Sequence, residues 1–255
     1  MKIAGSVAVI VGGASGMAKS TAEDLSALGA KVAILDLANS AGEAVAAALP
    51  SEAIFCEMNI LQSDSIKQAL DKVIAKYGAV HIGVNTAGGG IAKRVLSKKG
   101  AHTVDEFRKV VELNLVGAFD FLTQVAERMA ENTPNDDGER GVVISTASIA
   151  AYEGQIGQVA YAAAKAGITG MAFVAARDLG SFGIRSVAIA PSLFQTGLTE
   201  MLPADMAAEL TKDAAFPKRM GKPHEYALLA RAIIENPMLN GSTIRLDGGQ
   251  RFAPK

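Results

Sequence analysis

The chain has 255 residues, which is enough for one sizeable hydrophobic core and is an ordinary length for a single α/β domain. Its 25 Lys and Arg residues nearly balance its 26 Asp and Glu residues, so the net charge of −1 gives no general attraction to nucleic acid or to an anionic membrane. The single cysteine, Cys56, excludes an internal disulfide, and the scattered histidines suggest no metal site.

The first forty residues have the pattern of a nucleotide-binding unit. Residues 6–11 are a continuously apolar run, typical of a buried parallel strand, and the glycine-containing turn 12–16 separates them from a predicted helix that ends near residue 28. A strand, a glycine turn and a helix N-terminus together favour binding of a phosphate group. The next predicted strand, 31–35, ends at Asp36, whose carboxylate can bind both hydroxyls of an adenosine ribose and would repel a 2′-phosphate. The sequence therefore favours NAD over NADP as the cofactor.

Strands and helices continue to alternate beyond this unit. The predicted helices cover 40–49 and 63–77, the predicted strands cover 53–57 and 80–84, and a turn follows at 85–90. This order predicts the α/β class, with a doubly wound parallel sheet that has helices on both faces, which is a Rossmann fold. We expect one domain over residues 1–255.

Residues 91–102 form a basic loop that contains Lys93, Arg94, Lys98 and Lys99. One interpretation is a solvated surface, and the other is a binding site for a phosphate-bearing substrate tail.

Thr103 and Glu106 then have the spacing of a capping box, which predicts a long helix that ends near residue 132. Asn114 lies inside this helix among apolar residues, where a polar amide usually has a hydrogen-bond partner.

The stretch from Ser148 to Lys165 contains the candidate chemistry. A predicted strand over 142–145 leads to Ser148, which places its hydroxyl at the carboxyl end of the sheet, where it could hold a substrate oxygen. Tyr161 and Lys165 are four residues apart, so they lie on the same helical face. An ammonium group beside a phenol lowers the pKa of the phenol, and this makes Tyr161 a candidate acid/base. Alone, the pattern favours the other interpretation, a tyrosine that packs through its ring and a lysine in solvent, because pairs with this spacing are common on helices.

The remaining chain completes the alternation. The helix that carries Tyr161 is predicted to reach residue 182, a strand follows over 184–190, and a last helix from residue 223 and a strand over 242–246 close the chain. Residues 197–222, which are rich in Met and Ala, are either a lid over an apolar pocket or a packed helix. An apolar run long enough to cross a bilayer is not found in the sequence, so no membrane association is expected.

Together these motifs resemble the short-chain dehydrogenase/reductase family along nearly the whole chain. The resemblance implies that Tyr161 is the acid/base, that Ser148 positions the substrate oxygen, that Lys165 lowers the tyrosine pKa and binds the nicotinamide ribose, and that Asn114 holds a proton-relay water. The implied NAD-binding positions are Gly12, Ser15, Gly16, Met17, Asp36, Asn59, Ile60, Asn85, Thr86, Ala87, Gly88, Tyr161, Lys165, Pro191, Phe194 and Thr196. The implied substrate-binding positions are Ser148, Gln155, Tyr161, Lys98 and Lys99. The resemblance also implies a homotetramer with interfaces on the long helices and the C-terminal segment.

Within the family, residues 98–103, 153–158 and 244–248 resemble 3-hydroxyacyl-CoA dehydrogenases. This implies an NAD-dependent interconversion of (S)-3-hydroxyacyl-CoA and 3-oxoacyl-CoA. Two alternatives stay open: a dehydrogenase of steroids or other secondary alcohols, and a non-catalytic nucleotide-binding scaffold.

Four residues depart from the pattern of the family, namely Val11, Ala18, Asn59 and Ser192. They bear on cofactor affinity more than on activity, because none is Ser148, Tyr161 or Lys165. The chain enters its first strand without an Arg-rich and Ser-rich leader, so we expect a cytoplasmic location.

Overall fold

In the computed structural model, which describes residues 1–197, 199 and 202–254, a seven-stranded parallel sheet forms the centre of the molecule. Its strands are β1 (Val7–Val11), β2 (Lys31–Asp36), β3 (Ala53–Glu57), β4 (Ile82–Asn85), β7 (Gly141–Thr146), β8 (Ile184–Pro191) and β9 (Thr243–Leu246). Strands β5 (Leu96–Ser97) and β6 (Gly100–Ala101) form a separate hairpin. The helices are α1 (Gly16–Ala27), α2 (Gly42–Ala48), α3 (Ser63–Tyr77), α4 (Val104–Val111), α5 (Gly117–Ala130), α6 (Val159–Leu179), α7 (Ala204–Thr211) and α8 (Pro223–Glu235).

The strand order is β3-β2-β1-β4-β7-β8-β9, so the direction of winding changes between β1 and β4. The central strands β1, β7 and β8 are buried on both faces because apolar helices cover each side, whereas the edge strands β3 and β9 are partly exposed. One hydrophobic core contains Ile34 and Tyr226, a second contains Leu70 and Phe121, and a smaller third contains Ile168. The predicted doubly wound Rossmann fold is confirmed. In such a sheet, the carboxyl ends of the strands open a crevice at the point where the winding reverses, and this crevice is where ligands bind.

The predicted helix over 103–132 is wrong in its middle. The capping box of Thr103 and Glu106 is present, but α4 gives way to a π-helical turn at Glu112–Val116 before α5 begins. Wider turns of this kind are frequent at functional sites. The loop over 91–102 also contains the β5–β6 hairpin, which the sequence did not predict, because strands of two residues have no readable periodicity.

Helix α6 and the short helical turn after it, Val159–Phe182, are long and apolar enough to cross a membrane by length and composition, with a mean hydropathy of 1.4. The helix packs against β8, and Ala160, Ala164, Ile168 and Ala172 on it are buried. These contacts favour a core helix of the sheet over a membrane span.

The predicted lid, residues 197–222, contains α7. Residues 198, 200 and 201 of this segment lie outside the described residues. The C-terminal end of this segment lies close to the chain that follows β8, where an isolated parallel β-bridge pairs Phe194 with Gly221. A β-carbon at Gly221 would lie 2.5 Å from the Phe194 ring, so only glycine allows this approach.

Candidate active site

The turn between β1 and α1 depends on two glycines in the left-handed region. Gly12 has a φ of +76° and Gly16 a φ of +52°, and a β-carbon at Gly16 would lie 2.8 Å from Cγ2 of Thr196. Within the described residues, the side chain of Ser15 makes no capping hydrogen bond at the start of α1. The first backbone N–H groups of α1 are therefore available to an anion such as a pyrophosphate.

Asp36 lies at the end of β2 and its carboxylate is held in place by backbone donors. Oδ2 accepts a hydrogen bond from the Ala14 N–H at 3.0 Å, and Oδ1 accepts one from the Leu37 N–H at 2.8 Å. The first of these bonds joins the carboxylate to the glycine turn. An adenosine ribose seated between the turn and β2 would therefore meet a fixed negative charge, which fits a dinucleotide with free ribose hydroxyls.

Lys165 is almost fully buried, with 3% of its surface exposed, although it carries an amine. Its Nζ donates to the Thr146 carbonyl at 2.8 Å and lies 5.5 Å from the centre of the Tyr161 ring. Burial disfavours the charged amine and lowers the pKa of Lys165 to about 8. The amine is thus fixed between the end of β7 and the phenol.

The pKa of Tyr161 moves in the direction opposite to the sequence-based prediction. Burial raises the pKa of Tyr161 above its ordinary value, and interaction with the Ser148 side chain acts in the lowering direction. The helical spacing correctly placed Lys165 beside the ring, but it could not show how strongly the site is desolvated. Ser148 itself accepts a hydrogen bond from the Ala150 N–H at 3.1 Å, so its hydroxyl hydrogen can point to the phenol or to a substrate oxygen.

Asn114 lies in the π-helical turn, is 1% exposed, and bonds to the turn that follows β4. Its Oδ1 accepts from the Gly89 N–H at 3.1 Å, and its Nδ2 donates to the carbonyls of Gly89 and Val110. The hydrogen-bond partners predicted for the Asn114 amide are therefore backbone groups. Its implied role in holding a water stays a prediction.

These groups surround one cavity of about 710 Å³ at the carboxyl ends of the strands. The predicted residues that line it are Gly12, Ser15, Gly16, Met17, Asp36, Asn59, Ile60, Thr86, Ala87, Gly88, Ser148, Tyr161, Lys165, Pro191, Phe194 and Thr196. The glycine turn, Asp36 and the Ser148, Tyr161 and Lys165 side chains therefore share one cleft, as a hydride transfer between a nucleotide and an alcohol would require.

Comparison with known proteins agrees with this geometry. The family described as short chain dehydrogenase matches residues 6–207. The chain belongs to this family. It is 46% identical over 254 residues to 3-hydroxyacyl-CoA dehydrogenase type-2 of Homo sapiens, a match that covers 99% of this chain and 97% of that protein. It is 42% identical over 254 residues to the protein of the same name from Drosophila melanogaster, covering 99% of this chain and 100% of that protein.

Solved structures give the same result. The crystal structure of 3-hydroxyacyl-CoA dehydrogenase type-2 from Mycobacterium avium has a TM-score of 0.94 and 40% identity, with 100% of both chains covered. Levodione reductase has a TM-score of 0.83 and 29% identity, covering 96% of this chain and 97% of that one. This short-chain dehydrogenase is therefore an oxidoreductase that uses a nicotinamide nucleotide, and the alternative of a non-catalytic scaffold is not supported.

Some predicted site residues of this short-chain dehydrogenase are not in the cavity wall. Asn85 and Asn114 are buried behind it, and the Asn85 side chain accepts from the Ala87 N–H at 3.0 Å. Gln155 lies in the loop before α6, outside the lining residues. Lys98 and Lys99 are exposed at the tip of the β5–β6 hairpin, also outside the lining. Their roles in substrate binding stay predictions.

The four departures from the family pattern are accommodated locally. Ala18 is fully buried, so its methyl group fits the packing of α1. Val11 and Ser192 line the cavity. The side-chain oxygen of Asn59 accepts a hydrogen bond from the Leu61 N–H at 3.0 Å. This bond orients the Asn59 amide, which, unlike a carboxylate, carries no negative charge.

Sequence reasoning missed the support behind Lys165. The Thr146 hydroxyl donates to the Asn85 carbonyl at 2.7 Å, so the hydroxyl of Tyr226, also at 2.7 Å, must be the donor to Thr146 Oγ. Tyr226 is fully buried on α8. These two hydrogen bonds therefore connect α8 to Thr146, whose carbonyl accepts from Lys165. Tyr226 is 80 residues from Thr146, and nothing in the local sequence indicates the contact.

Gly88 allows Asn114 and Lys165 to approach the same backbone. A β-carbon there would lie 2.6 Å from Asn114 Oδ1 and 3.1 Å from Lys165 Nζ. We expect Gly88→Ala to lower the free energy of unfolding by roughly 1–3 kcal/mol, as overpacking of a tight interior does. Urea unfolding without added nucleotide measures the change.

Gly89→Ala is the matched control. A β-carbon at Gly89 has no described atom within 4 Å, so this variant should be as stable as the parent protein. Equal unfolding free energies for the two variants would contradict the packing argument.

Proposed function

We propose that this short-chain dehydrogenase uses NAD(H) to interconvert (S)-3-hydroxyacyl-CoA and 3-oxoacyl-CoA. The observation that carries the proposal is the position of Asp36, whose carboxylate is fixed by the Ala14 N–H in the same cavity as Ser148, Tyr161 and Lys165. Relatives called 3-hydroxyacyl-CoA dehydrogenase type-2, at 42% to 46% identity over nearly the full chain, support the substrate class.

Each residue of the site has a separate role in the oxidation of an alcohol. When bound in the cavity, a nicotinamide nucleotide would supply the hydride chemistry of this reaction, and the residues of the chain hold the substrate and move its proton. The phenolate oxygen of Tyr161 takes the hydroxyl proton of the alcohol, and in the reverse direction the phenol gives it back. The Ser148 hydroxyl donates to the substrate oxygen and holds it near Tyr161. The ammonium form of Lys165 favours the phenolate, while the Thr146 carbonyl fixes its position.

Asp36 supplies the selectivity for NAD(H). A 2′-phosphate at the ribose would approach this fixed carboxylate, and two like charges in a half-buried cleft repel each other. The ribose with free hydroxyls can instead donate to the carboxylate oxygens.

The deciding experiment follows the loss of reduced-nicotinamide absorbance with acetoacetyl-CoA, with NADH and NADPH in parallel. Turnover with NADH and little with NADPH is expected. Turnover that favours NADPH would contradict the argument from Asp36. No turnover with either nucleotide, while NADH still binds, would contradict the acyl-CoA assignment.

A second candidate substrate is a steroid or another secondary alcohol. The exposed position of Lys98 and Lys99 outside the cavity wall favours it, because the structure gives these lysines no contact with the cleft. Oxidation of a hydroxysteroid with NAD, in the absence of turnover of acetoacetyl-CoA, would select this candidate.

We also propose a homotetramer. A groove of about 820 Å³ runs between α5 and α6, and the exposed apolar side chains Phe119, Val174 and Phe182 line it. Phe119 is 53% and Val174 54% exposed, which is unusual for clustered apolar residues of a monomer. A stable monomer in light scattering would contradict the proposal.

A further inference from the structure

The loop of residues 152–158 joins the short helical turn after Ser148 to α6, and we call it the pre-helix loop. It packs closely on α6, since a β-carbon at Gly154 would lie 3.0 Å from Cβ of Ala162. Ala162 is the neighbour of Tyr161. The position of the pre-helix loop therefore bears directly on the start of the helix that carries the acid/base.

Two backbone hydrogen bonds hold the pre-helix loop from opposite sides. The Lys93 N–H donates to the Gly157 carbonyl at 2.8 Å, and the Ile156 N–H donates to the Pro254 carbonyl at 3.1 Å. The second bond ties the loop to the last residues of the chain. Single backbone bonds of this kind near the surface contribute little each, so a stronger contact is needed to fix the loop.

Arg245 on β9 makes that contact. Its Nη1 and Nη2 donate to the two carboxylate oxygens of Glu153 in the loop, both at 2.8 Å. Its Nε donates to Asp247 at 2.7 Å, and Nη2 also donates to the Gln250 carbonyl at 3.1 Å. The guanidinium lies 5.0 Å from the centre of the Tyr152 ring, the first residue of the loop. Among side chains, only the planar guanidinium of arginine, with its five N–H donors, can donate to two carboxylates and a carbonyl in this way.

The same C-terminal residues also reach the predicted lid. Gln250 is 2% exposed and its side chain donates to the Leu210 carbonyl on α7 at 2.9 Å. The Phe216 N–H donates to the Gly248 carbonyl at 3.0 Å. Residues 247–250 therefore join the pre-helix loop, through Arg245, to the predicted lid.

We propose that Arg245 is a positioning residue: it fixes the pre-helix loop to the C-terminal segment and thereby the positions of Ser148 and Tyr161, which flank the loop and line the cavity. The contacts of Arg245 are with the loop between Ser148 and Tyr161, whereas Asp36 and the glycine turn bind elsewhere along the cleft. Its loss should therefore weaken the substrate side and spare the nucleotide side. The kinetic part of this inference rests on the proposed function.

The test is Arg245→Gln, which keeps a polar side chain but removes the positive charge and the paired N–H donors of the guanidinium. Hydrogen exchange should become faster for amides of the pre-helix loop, including that of Ile156. The KM for acetoacetyl-CoA should rise, by up to roughly 100-fold, with a smaller change in kcat, because a misplacement of about 1 Å can cost this much. The Kd for NADH should stay unchanged.

Two further variants separate positioning from general stability. Arg128→Gln removes an arginine of comparable burial, whose bond to Asp71 at 2.6 Å joins α5 to α3 away from the cavity, and it should leave both the loop exchange and the KM unchanged. Glu153→Gln should also speed exchange in the loop, although Arg251 lies 3.6 Å from the same carboxylate. The double variant should have less than the sum of the two effects, because the Arg245–Glu153 pair is lost in both single variants.

Unchanged exchange in the pre-helix loop of Arg245→Gln would overturn the inference, as would an equal KM effect in Arg128→Gln. A change of mass in light scattering of Arg245→Gln would also overturn it, since the effect would then come from a subunit contact. If the parent protein does not turn over acetoacetyl-CoA, the proposed function fails, and the exchange comparison still decides whether Arg245 holds the loop.

Discussion

Tyr161→Phe should lower turnover by roughly 10²- to 10⁴-fold, the usual contribution of a positioned acid/base. The substitution removes only the phenol oxygen, so the ring can keep its packing against the backbone at Gly90, where an added β-carbon would lie 3.2 Å from the Tyr161 ring. In the proposed function the glycine turn and Asp36 would hold the nucleotide, so the Kd for NADH should change little. Steady-state turnover and nucleotide fluorescence measure the two quantities.

Tyr77→Phe is the matched control for this prediction. Its hydroxyl is buried at the end of α3 and, within the described residues, has no hydrogen-bond partner. Burial also raises the pKa of Tyr77 to about 12, so the group holds its proton at neutral pH. Removing this hydroxyl should leave turnover unchanged. Full activity in Tyr161→Phe would contradict the assigned proton transfer, because phenylalanine has no group that can carry the proton.

The sequence predicted the nucleotide side of the site better than the support of its catalytic side. The strand, glycine turn, helix and Asp36 lie within 36 residues, and each is specified by local pattern and backbone preference. The contact of Tyr226 with Thr146 instead depends on how α8 packs beneath the sheet. Contacts of this kind depend on tertiary packing, which the period of apolar residues does not encode.

Two other differences have the same origin. The π-helical turn around Asn114 interrupts a helix whose apolar pattern continues on both sides, so the pattern predicted one helix. The pKa of Tyr161 depends on the burial of the phenol as well as on the distance to Lys165, and the spacing of four residues reports only the distance.

Lys165→Met should have opposite effects on activity and on stability. Loss of the ammonium group should lower the supply of phenolate at neutral pH, and with it turnover, by roughly 10- to 1000-fold, as the removal of a neighbouring opposite charge does. At the same time, methionine is unbranched and apolar and suits a buried site. The variant should therefore fold well while losing activity.

The stability of the parent protein should depend on pH because of Lys165. Its pKa falls from 10.5 to about 8 on folding because of burial. Between these values the unfolded chain binds the proton and the folded chain does not, so the free energy of unfolding rises with pH in this window, by about 3 kcal/mol at most. Below about pH 8 both states hold the proton, and the folded state bears the full cost of a buried charge.

Urea unfolding at several pH values from 7 to 10 tests this. The free energy of unfolding of Lys165→Met should lack the rise above pH 8 that this amine contributes. At pH 7 the variant should be more stable than the parent protein. The gain should be smaller than the full pH-dependent difference, because the Thr146 carbonyl loses its donor. Lys72→Met, at an exposed position of α3, should follow the parent protein across the whole range. Parallel curves for Lys165→Met and the parent protein would mean that burial does not lower the pKa of this amine. The expected divergence would instead show that the fold keeps a destabilising charge at the one place where it can favour the phenolate of Tyr161.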